Sequence, residues 1–352
     1  MSERSALAEE AASGRAARPW YSPFNAIPAL RGGHFQTLAG NYWRRPAFSL
    51  SAEPEAVQVD AADGSRVLCH CHWQPEADRT ARLTIVLVHG LEGSSDSGYI
   101  RGITAQAWAA GCNVIRMNMR NCGGTETWSP TLYHSGLSGD VGAVLRHFVE
   151  RYRLQRVAMA GYSMGGNLVL KLAGELGGNA PGWLVGAVGV SPAADLAPSA
   201  DALHDGFNRV YEWHFLRNLM RRFRRKVELF PGIYSEEGLG PVRTIREFDD
   251  SITARYSGFT GADDYYARSS SAQVVGRIAI PTLVIHAEDD PFIRLLPETR
   301  AVMVENPAVS LVATPHGGHC AFLATTADAG QRHWAEATLL KFLLATGGSS
   351  GS

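Results

Sequence analysis

Val157-Ala158-Met159-Ala160-Gly161-Tyr162-Ser163-Met164-Gly165-Gly166 decides the fold of this chain. A short apolar run suited to a buried strand stops at Gly161. A helical pattern follows, with Val169, Leu172, Ala173 and Leu176 on one stripe. Between them Gly161-Tyr162-Ser163-Met164-Gly165 has the G-x-S-x-G form of a nucleophile elbow. Such an elbow holds a serine on a strained strand-to-helix turn, with its hydroxyl exposed above a parallel sheet. Small residues flank it because the turn is tight and helix and strand pack closely. Gly347-Gly348-Ser349-Ser350-Gly351 also satisfies the pattern, but no strand precedes it and no helix follows, so only Ser163 has the context.

Outward from the elbow, strands and helices alternate. Ala56 to Val59 and Val67 to Trp73 read as a hairpin around Asp63-Gly64. Strands are expected at Thr84 to Val88, Asn113 to Met117, Val185 to Val190, Thr282 to His286 and Val309 to Ala313. Helices are expected at about Gly102 to Ala110, Asp140 to Tyr152 and His333 to Leu344. Strands separated by helices imply right-handed βαβ units, here an α/β fold with a mostly parallel eight-stranded sheet flanked by helices. The spacing breaks once, after the sixth strand, where residues 192–271 form a long helical insertion over the carboxyl ends of the strands. It reads as a lid, since long connections in compact domains usually carry a function. The expected layout is a disordered N-terminus over 1–20, core over 21–191, lid over 192–271, core again over 272–346, and a flexible tail over 347–352.

Composition frames this reading. The chain has 352 residues, 45% hydrophobic and 19% charged, the profile of a globular protein with a sizeable core. A net charge of -1 gives no reason to expect nucleic acid as a partner. No apolar run reaches membrane-spanning length; Leu83 to Leu91 and Trp183 to Val190 are strand-sized. The first residues carry no apolar signal core, and five cysteines, an odd number, fit a reducing cytoplasm better than a disulfide scaffold. The expected location is therefore cytoplasmic.

A nucleophilic serine needs a base, and the base an orienting carboxylate. With an elbow of this kind the chain order is Ser, then Asp or Glu, then His. Glu288-Asp289-Asp290-Pro291-Phe292 and Pro315-His316-Gly317-Gly318-His319-Cys320 both follow strands, at the ends where ligands bind in open α/β sheets. Gly317-Gly318 lets the loop carry His319 towards Ser163, with His316 left to a structural or rim role. Asp289 and Asp290 point in different directions. The Asp-Pro-Phe-Ile form favours Asp290 as the acid and leaves Asp289 to cap the loop. Two backbone amides must meet the developing oxyanion. Met164, after the nucleophile, supplies one, and Leu91 in His89-Gly90-Leu91-Glu92-Gly93-Ser94-Ser95 the other.

Together with Tyr133-His134-Ser135-Gly136 and Leu30-Arg31-Gly32-Gly33-His34-Phe35-Gln36-Thr37-Leu38, these motifs resemble the YheT-like branch of the α/β-hydrolases, over nearly all of Pro23 to Leu344. The resemblance implies the α/β-hydrolase fold and a serine hydrolase acting on carboxylic esters, with relatives linked to medium-chain acyl esters and phospholipids. Val210 to Arg225 has no counterpart in it.

In that unmatched stretch Tyr211, Phe215, Leu219 and Phe223 recur at helical spacing. Phe215 and Phe223 are expected to line an acyl site. Arg217, Arg221, Arg222, Arg224, Arg225 and Lys226 crowd the same helix, which suits either packing on the core or peripheral contact with an anionic membrane. Cys69-His70-Cys71-His72 has a metal-like composition, yet on a strand its cysteines face one side and its histidines the other, so no metal site is expected. Cys320 reads as a small buried hydrophobe and His34 as a pocket-mouth or structural residue. The expected activity is ester hydrolysis on a small-molecule substrate without a cofactor. Acyl transfer to an alcohol uses the same triad, and a non-catalytic ligand-binding protein on this fold is the other alternative.

Overall fold

The computed structural model describes residues 20–43, 45, 53–326 and 331–348. Eight strands form one sheet in the order β1-β2-β4-β3-β5-β6-β7-β8. Strands β1 (Glu55–Asp60) and β2 (Arg66–His72) make the antiparallel hairpin, turning at Asp63 and Gly64, both with positive φ. Strand β2 pairs antiparallel with β4 (Asn113–Met117). From β4 onward all pairings are parallel, through β3 (Thr84–Val88), β5 (Val157–Tyr162), β6 (Leu184–Val190), β7 (Thr282–Ala287) and β8 (Val309–Thr314).

The central strands are continuous apolar runs because both faces are covered. On one face Val86 and Met159 pack with Val144 of α3 (Ser138–Tyr152) and Leu168 of α4 (Met164–Leu176). On the other, Ile85 and Ala160 pack with Ile103 of α2 (Gly98–Ala109) and Leu339 of α9 (Trp334–Gly348). Alternate residues of one strand thus build two separate cores. Cys69 and Cys71 enter the first core, while His70 Nδ1 meets Ser95 Oγ at 2.9 Å.

Two helix boundaries differ from expectation by about a full turn, and several other element ends differ by one or two residues. Helix α2 starts at Gly98, a turn earlier than Gly102, with Ile100 buried in that extra turn. Helix α9 continues to Gly348, taking in the first two residues of the expected tail; a Cβ on Gly347 would stand 2.9 Å from Leu83. At the other end Trp20 is docked, its ring 5.6 Å from that of Phe342. The rest of the expected unstructured N-terminus, and residues 349–352, lie outside the described residues.

Helix α1 (Gly33–Tyr42) lies so close to the β7 and β8 loops that a Cβ on Gly33 would overlap the Asp289 carbonyl, at 1.7 Å. The insertion holds α5 (Leu196–Leu203), α6 (Arg209–Leu229), a short helix Ile245–Phe248 that continues as a π-helical turn Asp249–Ala254, and α7 (Ala262–Ser269). Its apolar side forms a third cluster, joined by Phe292 and Ile293 from the loop after β7. Helix α8 (Pro297–Glu305) returns the chain to β8. No helix among the described residues is long and apolar enough to cross a membrane.

Candidate active site

Ser163 follows β5 and caps α4 with φ 55° and ψ -119°, a backbone state that L side chains rarely hold. The turn exists because its neighbours are glycines. A Cβ on Gly161 would lie 2.1 Å from the Gly165 carbonyl oxygen, and one on Gly165 would lie 2.3 Å from that of His89. The Ser163 N–H donates to Val190 O at 2.9 Å, fixing the elbow to the end of β6.

The loop after β3 wraps over this serine; a Cβ on Gly90 would come within 3.2 Å of Ser163 Cβ. Its amides are nearly all used. Gly90 N–H donates to Tyr99 Oη, Glu92 N–H to Tyr133 Oη, and Gly93 N–H to Gly90 O. Ser94 and Ser95 donate to Ser97 Oγ and Asn118 Oδ1. Leu91 is the exception, its N–H free of any protein acceptor among the described residues. His89 stiffens the loop from beneath: Met119 N–H donates to Nε2 at 3.1 Å, so Nδ1 carries the proton and donates to Gly90 O at 2.8 Å. Burial pushes His89 down to about 4, keeping it neutral.

The two adjacent aspartates diverge. Asp290 Oδ2 meets His319 Nδ1 at 2.8 Å, while Asp290 Oδ1 accepts the amide of Ile293 at 2.9 Å. Asp289 accepts the amide of Gly318 at 2.9 Å and pairs with His316 at 3.1 Å. Burial alone would raise the Asp290 carboxyl, but His319 and the Ile293 amide hold it below the usual carboxylate range. Burial works against protonation of His319. The Cys320 sulfur, 3.7 Å from Nε2, and the Asp290 carboxylate outweigh it and raise His319 above its ordinary value. The loop geometry rests on Gly317 and Gly318, with φ 149° and 57°. The elbow and the histidine loop meet at one atom: Val190 O takes the Ser163 N–H and lies 3.7 Å from Cys320 Sγ.

Ser163, Leu91 and Met164 line a cavity of about 110 Å³ roofed by the insertion. Phe292 joins it to the histidine, with ring centroids 4.4 Å apart. Phe215 and Leu219 of α6 face the cavity. Phe223 does not, and the expectation for it is corrected. One turn further along α6, it is buried among Tyr234 and Tyr256 in the core of the insertion.

The basic side of α6 also differs from a free cationic face. Arg222 donates to Glu92 at 2.9 Å and to Asn121 O at 2.6 Å, and Lys226 donates to the carbonyls of Glu126 and Ser129. Arg224 and Arg225 pair with Glu236 and Glu228. His34 stacks on Tyr211 and meets its hydroxyl at 3.2 Å, joining α1 to α6.

Some contributors have no sequence signature. Asn167 is one: its amide spans Ser135 O and Ser269 O, and its oxygen takes Ser271 N–H at 2.7 Å, clamping the insertion's base to α4. Thr37 and Asp249 are others. Asn167 and Thr37 have partners distant in sequence, whereas Asp249 bonds Thr253, one turn on, and Tyr266 within the insertion.

With the geometry set out, comparison with known proteins is direct. Residues 84–324 match the alpha/beta hydrolase fold family. The chain is 35% identical over 298 residues to "Putative esterase YheT" of Escherichia coli (strain K12), covering 83% of this chain and 85% of that one. It is 29% identical to "Phospholipase ABHD3" of Mus musculus, over 70% of this chain and 60% of that protein. Among solved structures, the Pyrococcus furiosus esterase Pf2001 superposes with a TM-score of 0.55 at 16% identity, over 92% of this chain and 98% of that one. The chain belongs to the α/β-hydrolase family, in its YheT-like branch.

Proposed function

We propose that this protein hydrolyses carboxylic esters of short-to-medium acyl chains through an acyl-serine intermediate. Ser163 is the nucleophile, His319 the proton shuttle, and Asp290 the carboxylate that orients it. The observation that carries this reading is the 2.8 Å contact between Asp290 and His319 Nδ1, which leaves Nε2 as the ring nitrogen for the serine. The esterase and phospholipase names of the relatives point the same way.

His319 Nε2 takes the Ser163 proton as Oγ attacks the ester carbonyl. The new oxyanion is met by the Leu91 and Met164 amides, donors preorganised by the backbone. Collapse of the tetrahedral adduct expels the alcohol, which receives the proton from Nε2. Water, deprotonated by the same nitrogen, then releases the acid and restores Ser163. Asp290 keeps the proton of His319 on Nδ1 and stabilises the imidazolium formed in each half-reaction. The apolar cavity roofed by Phe215 and Leu219 takes the acyl chain, which makes the insertion a lid.

Fluorophosphonate labelling, with hydrolysis of a series of acyl esters, tests the proposal. The wild-type protein should be labelled on Ser163 and turn over esters, and Ser163→Ala should do neither. An unlabelled wild-type serine, or turnover that survives Ser163→Ala, overturns it.

A further inference from the structure

The cavity over Ser163 has a polar group set into an otherwise apolar lid. Asp249, the first residue of the π-helical turn Asp249–Ala254, lines the cavity together with Thr253 and Tyr266. Thr253 Oγ1 donates to Asp249 Oδ1 at 2.7 Å, and Tyr266 Oη donates to Oδ2 at 2.8 Å. Neighbouring lining residues are Phe215, Leu219, Ile245 and Phe248. Ser163 and its oxyanion amides belong to the same cavity.

Asp249 is half-buried in the cavity wall, an expensive place for a carboxyl group. Burying it costs free energy unless its oxygens are supplied with donors. Each carboxylate oxygen has two acceptor positions, and Asp249 uses one on each. Among the described residues no cation takes the others. Arg246 is the nearby guanidinium, but it donates to Asp201 and Asp263 on the outer side and lies over the Tyr266 ring at 5.1 Å. Burial pushes the Asp249 carboxyl up to about 6, against the Thr253 and Tyr266 hydrogen bonds and the field of Arg246. The π-helical turn adds a local irregularity of the kind that recurs at functional sites.

We propose that Asp249, held by Thr253 and Tyr266, is a polar subsite of the acyl pocket that accepts a hydrogen bond from a hydroxyl on the substrate's acyl chain. Hydroxylated acyl esters are then better substrates than alkyl esters of the same size. This rests on the esterase reading of Ser163 given above. A hydroxyl suits the subsite better than an ammonium group, because Arg246 already places positive charge against Tyr266, and the acceptor positions left on Asp249 can take a neutral hydroxyl.

The test uses ethyl esters of ω-hydroxyalkanoates and of alkanoates with the same number of heavy atoms, over a range of lengths. For the wild-type protein kcat/KM should favour the hydroxylated ester by about tenfold at the best length, the scale of one desolvated hydrogen bond. Asp249→Leu should reverse the preference, leaving alkyl esters at least as good as before. Circular dichroism and fluorophosphonate labelling of Ser163 report whether that variant is folded with its elbow intact. If Asp249→Leu does not yield folded protein, Asp249→Asn replaces it and should bring the ratio several-fold closer to one. A wild-type preference for alkyl esters at every length overturns the subsite, as does a variant that changes both ester classes equally. Failure of wild-type labelling strikes the esterase reading instead and is distinguishable from either.

Discussion

Thr37 Oγ1 accepts the backbone N–H of His319 at 2.8 Å, across 282 positions of sequence. The same hydroxyl donates to Gly33 O at 2.6 Å, so a single turn of α1 sets the height of the histidine loop. Gln36 reinforces it by exchanging two hydrogen bonds with the Leu323 backbone. The segment Gly33 to Thr37 therefore buttresses the proposed base. Thr37→Val should leave the His319 amide without its acceptor, a loss of about 1–3 kcal/mol. Turnover should fall by about tenfold and Thr37→Ser should restore it. Equal rates for wild type and Thr37→Val would show that the loop holds its place without this contact.

Ser163→Ala and His319→Ala should each cost about six orders of magnitude in kcat if the three residues act as a unit. Asp290→Asn should cost about four, because the amide favours the wrong histidine tautomer. Asp289→Asn should cost far less, since Asp289 binds Gly318 and His316 rather than His319. A crippled Asp289→Asn beside a nearly normal Asp290→Asn would exchange their roles.

Only neutral His319 can accept the serine proton, so hydrolysis should rise as pH increases through its pKa. The Cys320 sulfur and the Asp290 carboxylate raise that pKa, and the midpoint of the acid limb should lie above the ordinary histidine value of about 6.5. In Asp290→Asn the midpoint should move down. The same raised value gives a stability contribution that is full below about pH 6.5 and is lost as pH climbs through the folded-state value. A pH-rate profile flat down to pH 4 would exclude a histidine base.

Phe215 faces the cavity and Phe223 the lid core, which separates their variants. Phe215→Ala should lengthen the preferred acyl chain, each additional buried methylene contributing about 0.8 kcal/mol to kcat/KM until the pocket is full. Phe223→Ala should instead lower stability by about 3–5 kcal/mol with the length preference little altered. Thermal unfolding beside a chain-length series distinguishes the two, and a shifted optimum in Phe223→Ala alone would reverse the assignment.

Arg222 reaches from α6 to Glu92, the residue after Leu91, and Glu92 also takes the Tyr133 hydroxyl. Arg222→Gln should free this loop and reduce kcat several-fold by blurring the position of the Leu91 amide. Sedimentation with anionic vesicles should not respond to the change, since the guanidinium is turned inward. A loss of vesicle binding with normal kcat would restore the arginine to a surface role.

Much of this architecture was legible because it obeys short-range rules. Thr84–Val88 and Asn113–Met117 came out at their observed limits: a strand buried on both faces is an unbroken apolar run with turn residues at its ends. The elbow was legible because close backbone contacts demand glycine at two fixed offsets from Ser163, positions 161 and 165. The start of α2 was misplaced because Gly98 and Gly102 both weaken the helical pattern there, while burial of Ile100 and Gly102 overrides propensity. Phe223 was assigned to the wrong side of the lid because one helical stripe served two environments, the cavity at Phe215 and the aromatic cluster around Tyr234 further along. Asn167 and Thr37 act through partners far away in sequence, and such pairings leave no periodic trace; Asp249 pairs within the insertion, where no motif marks it.

The order of the pieces along the chain carries a consequence for biosynthesis. Strands β3 to β6 emerge from the ribosome before the insertion, and the loops with Asp290 and His319 emerge after it. Under the proposed mechanism a partly made chain would hold Ser163 with neither acid nor base yet synthesised. Its hydroxyl is then an ordinary alcohol, inert towards esters in the surrounding cell. Under the proposed mechanism reactivity would begin only after β8 and the His319 loop are made, by which time the insertion is already synthesised.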